Sequence, residues 1–305
     1  MKSANQTKIG CSYGDKIFDS IIFIILTLIL IVVAYPLYFI IISSISSPSA
    51  VAGGEVIWFP IGINLDGYKA VFEDKSVITG FANSLLYSIS GTFINLAVTL
   101  PTAYALSRQD FYGKKIIIIY YTITMFISGG LIPTYLVIKG CGFIDTIWAL
   151  IIPGAISVYN MIVARTFFKS TIPSELFDAA KLDGCGNTKF FVYIVLPMSH
   201  AIITILVLYY GIGHWNSYFS AMLYLITPEK FPLQLVLRSI LIQNATKVQQ
   251  MTSNLEVLAE VERKRQTAEL MKYSLIIISS IPVMILYPFA QRHFVKGVMI
   301  GSIKG

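Results

Sequence analysis

The chain alternates between long apolar stretches and short polar connections, and six of the stretches are long enough to cross a membrane as helices. The hydrocarbon core of a bilayer is about 30 Å thick, so a spanning helix needs about 20 mostly apolar residues. Prolines and glycines in the fourth and fifth stretches are tolerated where neighbouring helices satisfy the freed backbone groups. The pattern therefore predicts an all-α membrane protein with six transmembrane helices, at Ile17–Ile45, Phe81–Leu106, Lys115–Ile138, Thr146–Phe168, Leu196–Leu225 and Lys272–Gln291.

The composition agrees with a membrane protein and excludes several other classes. The chain is 55% hydrophobic and 13% charged, whereas a soluble domain carries about 25% charged residues. The net charge of +7 is spread along the chain, without the basic stripe that a nucleic-acid partner requires. The cysteines and histidines show neither metal-ligand spacing nor a Ser/His/Asp arrangement. We therefore predict no catalytic residue, no metal site and no nucleic-acid partner.

The basic residues at the ends of the spans predict the orientation of the chain. Arg108, Lys114 and Lys115 separate the second and third spans, and Arg292 and Lys296 follow the last one. Because such clusters accumulate on the cytoplasmic side, both termini are expected in the cytoplasm. We predict a cytoplasmic segment 1–16, a six-span domain 17–292 with an inner loop 169–195 and an outer loop 226–271, and a cytoplasmic tail 293–305. An outer amphipathic helix is expected at Asn254–Lys272.

The inner loop 169–195 is unusually polar and has the pattern of two short helices. Pro173 suits the first turn of a helix, with Ser170 or Thr171 as its cap. Gly184 suits a left-handed cap at the end of that helix, and Asn187 can cap the next one. The loop is therefore predicted to form a knob on the cytoplasmic side, and its apolar side, formed by Leu176, Phe177 and Ala180, needs a partner.

The same loop carries a spaced motif. The residues DAA at 178–180 are followed after three residues by Gly184, and after nine more by the run IVLP at 194–197. This resembles the EAA loop of binding-protein-dependent ABC importers, with the pattern EAA, three residues, G, nine residues, IxLP. Asp178 in place of Glu is the one departure, and it retains the carboxylate. The alternative is a generic amphipathic loop between two spans.

The resemblance implies the type I ABC importer permease fold and a set of partners. In that family the loop is a coupling helix that sits in a cleft of the ATPase subunit. The chain has no GxxxxGK[ST] motif to cradle nucleotide phosphates, so ATP and Mg are expected on the partner, and this chain is not an enzyme. The implied partners are two copies of a cytoplasmic ATPase, a homologous second permease, an extracellular sugar-binding protein or lipoprotein, and the lipid bilayer of the bacterial cell membrane. The implied ATPase-coupling residues are Glu175, Phe177, Asp178, Ala179, Ala180, Asp183 and Gly184.

Further segments resemble one branch of these importers. The branch is the carbohydrate uptake transporter-1 family, specifically its maltose-type second permease and the members that handle oligosaccharides or complex glycans. The resemblance implies a permease that couples ATP hydrolysis by a partner to alternating access for a sugar or oligosaccharide. Alternatives are a permease for another solute such as peptides, and a carrier or membrane enzyme that does not use ATP. The segments are Trp58–Phe72, Phe81–Ser88, His214–Leu225, Phe231–Arg238 and Val295–Gly305.

Uncharged polar residues in the spans are candidates for the translocation pathway. Ser84, Ser88, Thr92, Asn95, Thr99 and Thr102 share one face of the second span. They suit a passing sugar, although small polar residues also pack helices together. Aromatic residues near Trp215 suit an outer vestibule or the interfacial aromatic belt. Lys139 and Asp145 are expected to be solvated at an outer turn. The candidates are Asn83, Tyr87, Asn95, Trp215 and Asn216.

Overall fold

The computed structural model of the chain describes residues 13–246 and 268–288, and all regular structure in these ranges is helical. Three short turns accompany the α-helices: 3-10 turns at Ile152–Gly154 and Pro228–Lys230, and a π-turn at Phe191–Val195. The helices are α1 Tyr13–Ser44, α2 Pro48–Ala52, α3 Asp66–Glu73, α4 Lys75–Ser107, α5 Lys114–Phe126, α6 Leu131–Gly140, α7 Trp148–Ile151, α8 Val158–Thr171, α9 Ser174–Leu182, α10 Asn187–Phe190, α11 Leu196–Met198, α12 His200–Trp215, α13 Tyr218–Tyr224, α14 Leu233–Thr246 and α15 Ala268–Pro288.

The described residues belong to two compact units, which are considered separately. Unit 1 comprises 13–70 and 268–277, and unit 2 comprises 71–246 and 278–288. In unit 1 the end of α1 packs Ile42 against Val51, Val56 and Leu270. The connection after α1 contains two short helices, α2 and α3. Most of the predicted outer helix Asn254–Lys272 lies outside the described residues.

Three of the predicted spans are confirmed as continuous helices that are long and apolar enough to cross a membrane: α1, α4 and α15. None of the residues in the most apolar stretch of α1 is buried within the chain, as expected for a helix that faces lipid. The second span is longer than predicted. It begins at Lys75, where Asp74 caps the helix by accepting a hydrogen bond from the N–H of Ser76.

The third and fifth spans are each a bent pair of helices. In the third, the chain bends by 116° between α5 and α6, across Ile127–Gly130, where Gly130 has a φ of +86° that favours glycine. In the fifth, the chain bends by 82° between the segment Asn187–Met198 and α12. Pro197 lies just before this bend and cannot donate the backbone hydrogen bond of a straight helix. Apolar length predicted these two spans, and it did not predict the breaks within them.

The fourth predicted span is also interrupted. It consists of α7, the 3-10 turn Ile152–Gly154 that contains Pro153, and α8, which starts after Ser157. Ser157 caps α8 by accepting a hydrogen bond from the N–H of Asn160. The break divides the stretch into pieces of fewer than 18 residues, and it exposes backbone groups that the rest of unit 2 satisfies.

Helix α4 is the centre of unit 2 and packs against α8, α12 and α14. The main core lies towards its C-terminal end and includes Phe168, Phe190 and Leu206, which are fully buried. A second core lies towards the N-terminal end of α4, around Tyr87 and Ala221. Helix α4 therefore links two ends of unit 2: one that carries the 169–195 connection, called here the coupling end, and the opposite end.

Candidate coupling site

The first helix of the coupling end, α9, is closed by a glycine in the left-handed conformation. Gly184 has a φ of +74°. The N–H of Gly184 donates to the carbonyl of Lys181 at 3.1 Å, and the N–H of Cys185 donates to the carbonyl of Ala180 at 2.9 Å. The two bonds form a Schellman motif, which satisfies carbonyls that a helix end otherwise leaves unpaired. The predicted left-handed cap at Gly184 is confirmed.

The apolar side of α9 is packed against its own chain. The ring of Phe177 meets the fully buried ring of Phe190 edge to face, with 5.3 Å between the centroids. Leu176 and Ala180 contact the same core. The apolar side of α9 is therefore covered by the chain itself and not by a separate protein. Phe177 and Ala180 attach α9 to the core.

The opposite side of α9 is exposed. Leu182, near the end of this helix, is 90% exposed. Four of the exposed side chains recur at spacings of three and four residues and share one helix face, and the exposed Ser174 and Lys181 lie beside it. Asp183 and Gly184 are exposed at the end of this face. The outer face of α9 is defined here as Glu175, Asp178, Ala179 and Leu182.

The other predicted caps of this loop are wrong in detail. Ser170 and Thr171 belong to the last turn of α8, and Pro173 itself is the residue that precedes α9. Gly186 precedes α10, so Asn187 is its first helical residue. The side chain of Asn187 is used elsewhere, because its Oδ1 accepts a hydrogen bond from Arg108.

Arg108, which follows α4 directly, contacts both parts of the loop. Its guanidinium carbon lies 3.8 Å from the ring centroid of Phe177, and Nη1 donates to Asn187 at 3.0 Å. Asp110 accepts from Nε and Nη2, and this ion pair lowers the pKa of Asp110. Sequence patterns alone assign Arg108 a role only in the orientation of the chain. Its contact with Phe177 could not be foreseen because the two residues are far apart along the chain.

The polar face of α4 is turned inward. Ser84, Thr92, Asn95 and Thr99 are buried within the chain. The hydroxyl of Ser84 accepts a hydrogen bond from the N–H of Leu233 at 2.8 Å. Burial of this kind favours the alternative that small polar residues pack one helix on another.

Asn95 is the centre of a buried hydrogen-bond network between α4, α12 and the break in the fourth span. Its Nδ2 donates to the carbonyl of Gly154 at 2.6 Å, and its Oδ1 lies 2.6 Å from Nε2 of His214. Because Oδ1 can only accept, Nε2 of His214 carries the hydrogen. Nearby, the hydroxyls of Thr99 and Tyr210 are 2.8 Å apart. The network fixes the backbone where the fourth span is interrupted.

The other pathway candidates have different surroundings. Asn83 donates to the carbonyls of Glu229 and Phe231, and Tyr87 donates to the carbonyl of Lys230. The indole of the buried Trp215 donates to the carbonyl of Ser279 at 2.9 Å. Asn216 is exposed at the end of α12, whereas Asn83 is half-buried and the other candidates are buried. The candidates and their carbonyl partners lie in unit 2.

Asp145 is a polar centre of the opposite end, rather than the solvated residue that the sequence suggested. Its carboxylate accepts from the N–H groups of Ile226 and Thr227, each at 3.0 Å, and from the Thr227 hydroxyl at 2.6 Å. Nζ of Lys230 donates to the same carboxylate at 2.7 Å. These donors lower the pKa of Asp145, the hydrogen bond from Lys230 most of all.

The comparison with protein families defines the class of protein. Residues 76–300 match the family described as binding-protein-dependent transport system inner membrane component, and the chain belongs to this family. It is therefore the permease component of an ABC importer, a multi-pass membrane protein that transports rather than catalyses.

Curated relatives match nearly the whole chain. The chain is 35% identical to the polygalacturonan/rhamnogalacturonan transport system permease protein YtcP of Bacillus subtilis (strain 168), over 95% of this chain and 99% of the relative. Protein LplC of the same organism is 36% identical, over 88% of this chain and 89% of the relative. The maltodextrin transport system permease protein MdxG, also from that organism, is 24% identical over 93% and 95% of the two chains.

A solved structure confirms the fold. A chain from the crystal structure of a bacterial ABC transporter involved in the import of the acidic polysaccharide alginate matches with a TM-score of 0.84 and 30% identity. The match covers 93% of this chain and 98% of that chain. The predicted type I importer permease fold is thereby confirmed.

Proposed function

We propose that this chain forms half of the translocation pathway of an ATP-driven, binding-protein-dependent importer of an oligosaccharide. A separate ATPase, present in two copies, binds ATP and Mg, and a homologous second permease completes the pathway. A sugar-binding protein or lipoprotein delivers the cargo from outside. Both termini and the coupling end face the cytoplasm, in line with the basic residues Arg108, Lys114 and Lys115 at the ends of the spans.

The observation that carries the proposal is the two-sided construction of α9. One side is held by the core through Phe177 and Ala180, and the end is capped at Gly184. The outer face presents an exposed leucine, Leu182, beside the carboxylates Glu175 and Asp178. Because the core holds its inner side, a force that a partner applies to the outer face of α9 moves the helix together with the core and does not rotate it about its own axis. The outer face is suited to a cleft with an apolar pocket and basic groups, which we assign to the ATPase.

Transport itself follows from a shift between two conformations. A partner changes the population of a conformation only if it binds the two forms with different affinity. ATP-driven closure of the ATPase pair would supply that difference by drawing the two coupling helices together. The interrupted spans of unit 2 provide the places where helices can change their angle, at the 116° and 82° bends.

The names of the relatives favour a sugar over a peptide as cargo. YtcP is named for polygalacturonan and rhamnogalacturonan, MdxG for maltodextrin, and the matching solved structure for the acidic polysaccharide alginate. The exposed Asn216 can donate to and accept from sugar hydroxyl groups. We assign to it a direct contact with the cargo, and to Asn83, Tyr87, Asn95 and Trp215 the support of the surrounding backbone.

An uptake experiment tests the proposed function. In the source bacterium the gene for this chain is deleted and restored on a plasmid, and cells are given labelled oligogalacturonides, alginate oligomers, maltodextrins, arabino-oligosaccharides or a peptide mixture. We expect uptake of at least one oligosaccharide class to be lost on deletion and regained on restoration, with peptide uptake unchanged. Loss of peptide uptake with all oligosaccharides unaffected would contradict the proposal.

A further inference from the structure

We propose that Arg108 is a positioning residue for coupling: its guanidinium ties α9 to α4, so that a movement of the coupling helix reaches the central span of unit 2. The inference rests on the proposed function, because it requires α9 to be moved by an ATPase. It adds a residue outside the 169–195 connection to the coupling machinery.

The contacts of Arg108 point in three directions. Its guanidinium carbon lies 3.8 Å from the centroid of Phe177, on the inner side of α9. Nη1 donates to Oδ1 of Asn187 at 3.0 Å, in the first turn of α10, and lies 3.4 Å from the hydroxyl of Tyr104 on α4. The Arg108 side chain is 14% exposed, whereas its partners Asp110 and Asn187 are exposed.

The guanidinium and the backbone of Arg108 are also held by residues that follow it in the chain. Asp110 accepts from Nε and Nη2, which fixes the plane of the group relative to the end of α4. Nζ of Lys114 donates to the carbonyl of Arg108 at 2.6 Å, which fixes the backbone. A planar cation anchored on one edge can keep its face on the ring of Phe177, whereas a lysine ammonium is a point charge and cannot form this fork.

The covalent connections of α9 do not reach α4. On one side α9 is joined to α8 through Ile172 and Pro173, and on the other it continues through α10 and the π-turn to the 82° bend before α12. A bend of this size can absorb part of an applied movement. Helix α4, in contrast, is one helix of 33 residues. The contact between Arg108 and Phe177 therefore gives α9 a direct connection to the longest helix of unit 2.

Movement of α4 would have consequences along the whole unit. Its residue Asn95 holds the carbonyl of Gly154 and the ring of His214, and Asn83 holds the carbonyls of Glu229 and Phe231 near the opposite end. These hydrogen bonds link α4 to the interrupted fourth span, to α12 and to the 226–231 loop. A connection from α9 to α4 is thus sufficient to carry a displacement from the coupling end to the opposite end.

The test uses the complete transporter, with its second permease, ATPase and binding protein, in proteoliposomes supplied with the oligosaccharide that the deletion strain identifies. ATP hydrolysis and sugar uptake are measured together for Arg108→Lys and for Phe177→Leu, which keeps an apolar side chain but removes the ring. We expect ATP hydrolysis to continue while the amount of sugar imported per ATP hydrolysed falls about fivefold. This factor corresponds to the free energy of one cation–π contact. In the double variant the ratio of sugar to ATP should be little lower than in either single variant, because both substitutions remove the same contact.

Arg165→Lys is the matched control. Arg165 also contacts the end of α4, because its Nε donates to the carbonyl of Leu106 at 3.0 Å, but it does so from α8. For this variant we expect hydrolysis and uptake to change in parallel, so that the ratio stays constant. Size-exclusion chromatography in detergent identifies variants that do not fold, and Phe177→Leu decides the outcome if Arg108→Lys is one of them.

The possible failures are distinguishable. If the unmodified transporter hydrolyses ATP without importing any oligosaccharide, the proposed function fails. If the unmodified transporter imports sugar and the folded Arg108→Lys or Phe177→Leu protein retains the same ratio of sugar to ATP, the proposed function stands and the role of Arg108 is overturned.

Discussion

The ammonium group of Lys230 lies 2.7 Å from both the carboxylate and the main-chain carbonyl of Asp145. The carboxylate also accepts two N–H groups and one hydroxyl from Ile226 and Thr227. Asp145 itself has a φ of +59°, a conformation that few residues other than glycine adopt. The Asp145 carboxylate therefore organises the 226–231 loop by accepting hydrogen bonds from a cage of donors, of which Lys230 is one.

This geometry predicts the result of exchanging the two charges. Asp145→Lys or Lys230→Asp alone should loosen the loop, and the double exchange should not restore it, because a lysine cannot accept from the N–H groups of Ile226 and Thr227. The measurement is limited proteolysis of the purified protein at the 226–231 loop. The pKa of Asp145 is lowered, so the carboxylate remains ionised from about pH 5 upwards and proteolysis at pH 7 reports on the charged form.

Recovery of protease resistance in the double exchange would show that the interaction is an ordinary ion pair. Asp145→Asn provides the control for shape, since an amide retains one acceptor oxygen and most of the volume. We expect Asp145→Asn to lie between the original protein and Asp145→Lys in its resistance to protease.

Two glycines in the spans are predicted to differ sharply in their tolerance of a methyl group. A Cβ added at Gly91 would lie 2.5 Å from Nε2 of His214, whereas one added at Gly211 would lie 3.7 Å from the Thr92 hydroxyl, an ordinary contact. We expect Gly91→Ala to destabilise the protein by about 1–3 kcal/mol, as overpacking does, and Gly211→Ala to have little effect. The measurement is the unfolding temperature in detergent, followed by size-exclusion chromatography.

The contact can be verified with a double substitution. His214→Ala removes the ring that the methyl group would strike, so the effects of Gly91→Ala and His214→Ala should not add when the two are combined. A strictly additive loss of unfolding temperature would show that Gly91 and His214 are not in contact.

The glycines at the end of α9 form a second matched pair. Gly184 has a φ of +74°, while Gly186 has a φ of −72° that any residue adopts, and a Cβ meets nothing within 4 Å at either position. Substitution at Gly184 therefore acts on the backbone alone, at about 1–2 kcal/mol for most residues. Oligosaccharide uptake should decrease in the order Gly, Asn, Ala, Val at position 184.

Gly186→Ala should import as well as the original protein. Equal losses for Gly184→Val and Gly186→Ala would indicate that the loop tolerates no added atoms, and that the Schellman cap of α9 has no particular role in coupling.

Features that depend on one short segment of the chain could be predicted from the local residue pattern. The three continuous spans and the cap at Gly184 follow from apolar length and from the backbone preference of glycine, and both are properties of a short segment. The spacing of DAA, Gly184 and IVLP also lies within one loop, and it led directly to the family. These features required no knowledge of which segments meet in space.

The features that the sequence did not reveal depend on contacts between distant segments. The inward direction of Asn95 is decided by α12 and Gly154, and the cage around Asp145 by residues 226–230. Apolar content alone could not separate a straight span from a bent one, although Pro153, Pro197 and the pair Gly129 and Gly130 mark the interruptions. The placement of Phe177 on the inner side of α9 likewise required the fold, since any amphipathic helix has two faces on which a partner can dock.

The most direct test of the account is crosslinking from a single cysteine on the outer face of α9 to amino groups of the ATPase in native membranes, with a short reagent that reacts with a thiol at one end and an amine at the other. The variant is Leu182→Cys, at a side chain that is 90% exposed, in a protein whose own cysteines are replaced by serine. Ala180→Cys, on the buried side of the same helix, is the control. We predict that position 182 crosslinks to the ATPase, identified by mass spectrometry, with a yield that changes when ATP is added, and that position 180 does not. Efficient crosslinking from position 180 and none from 182, or no ATPase crosslink from either in a transporter that imports sugar, would contradict the account.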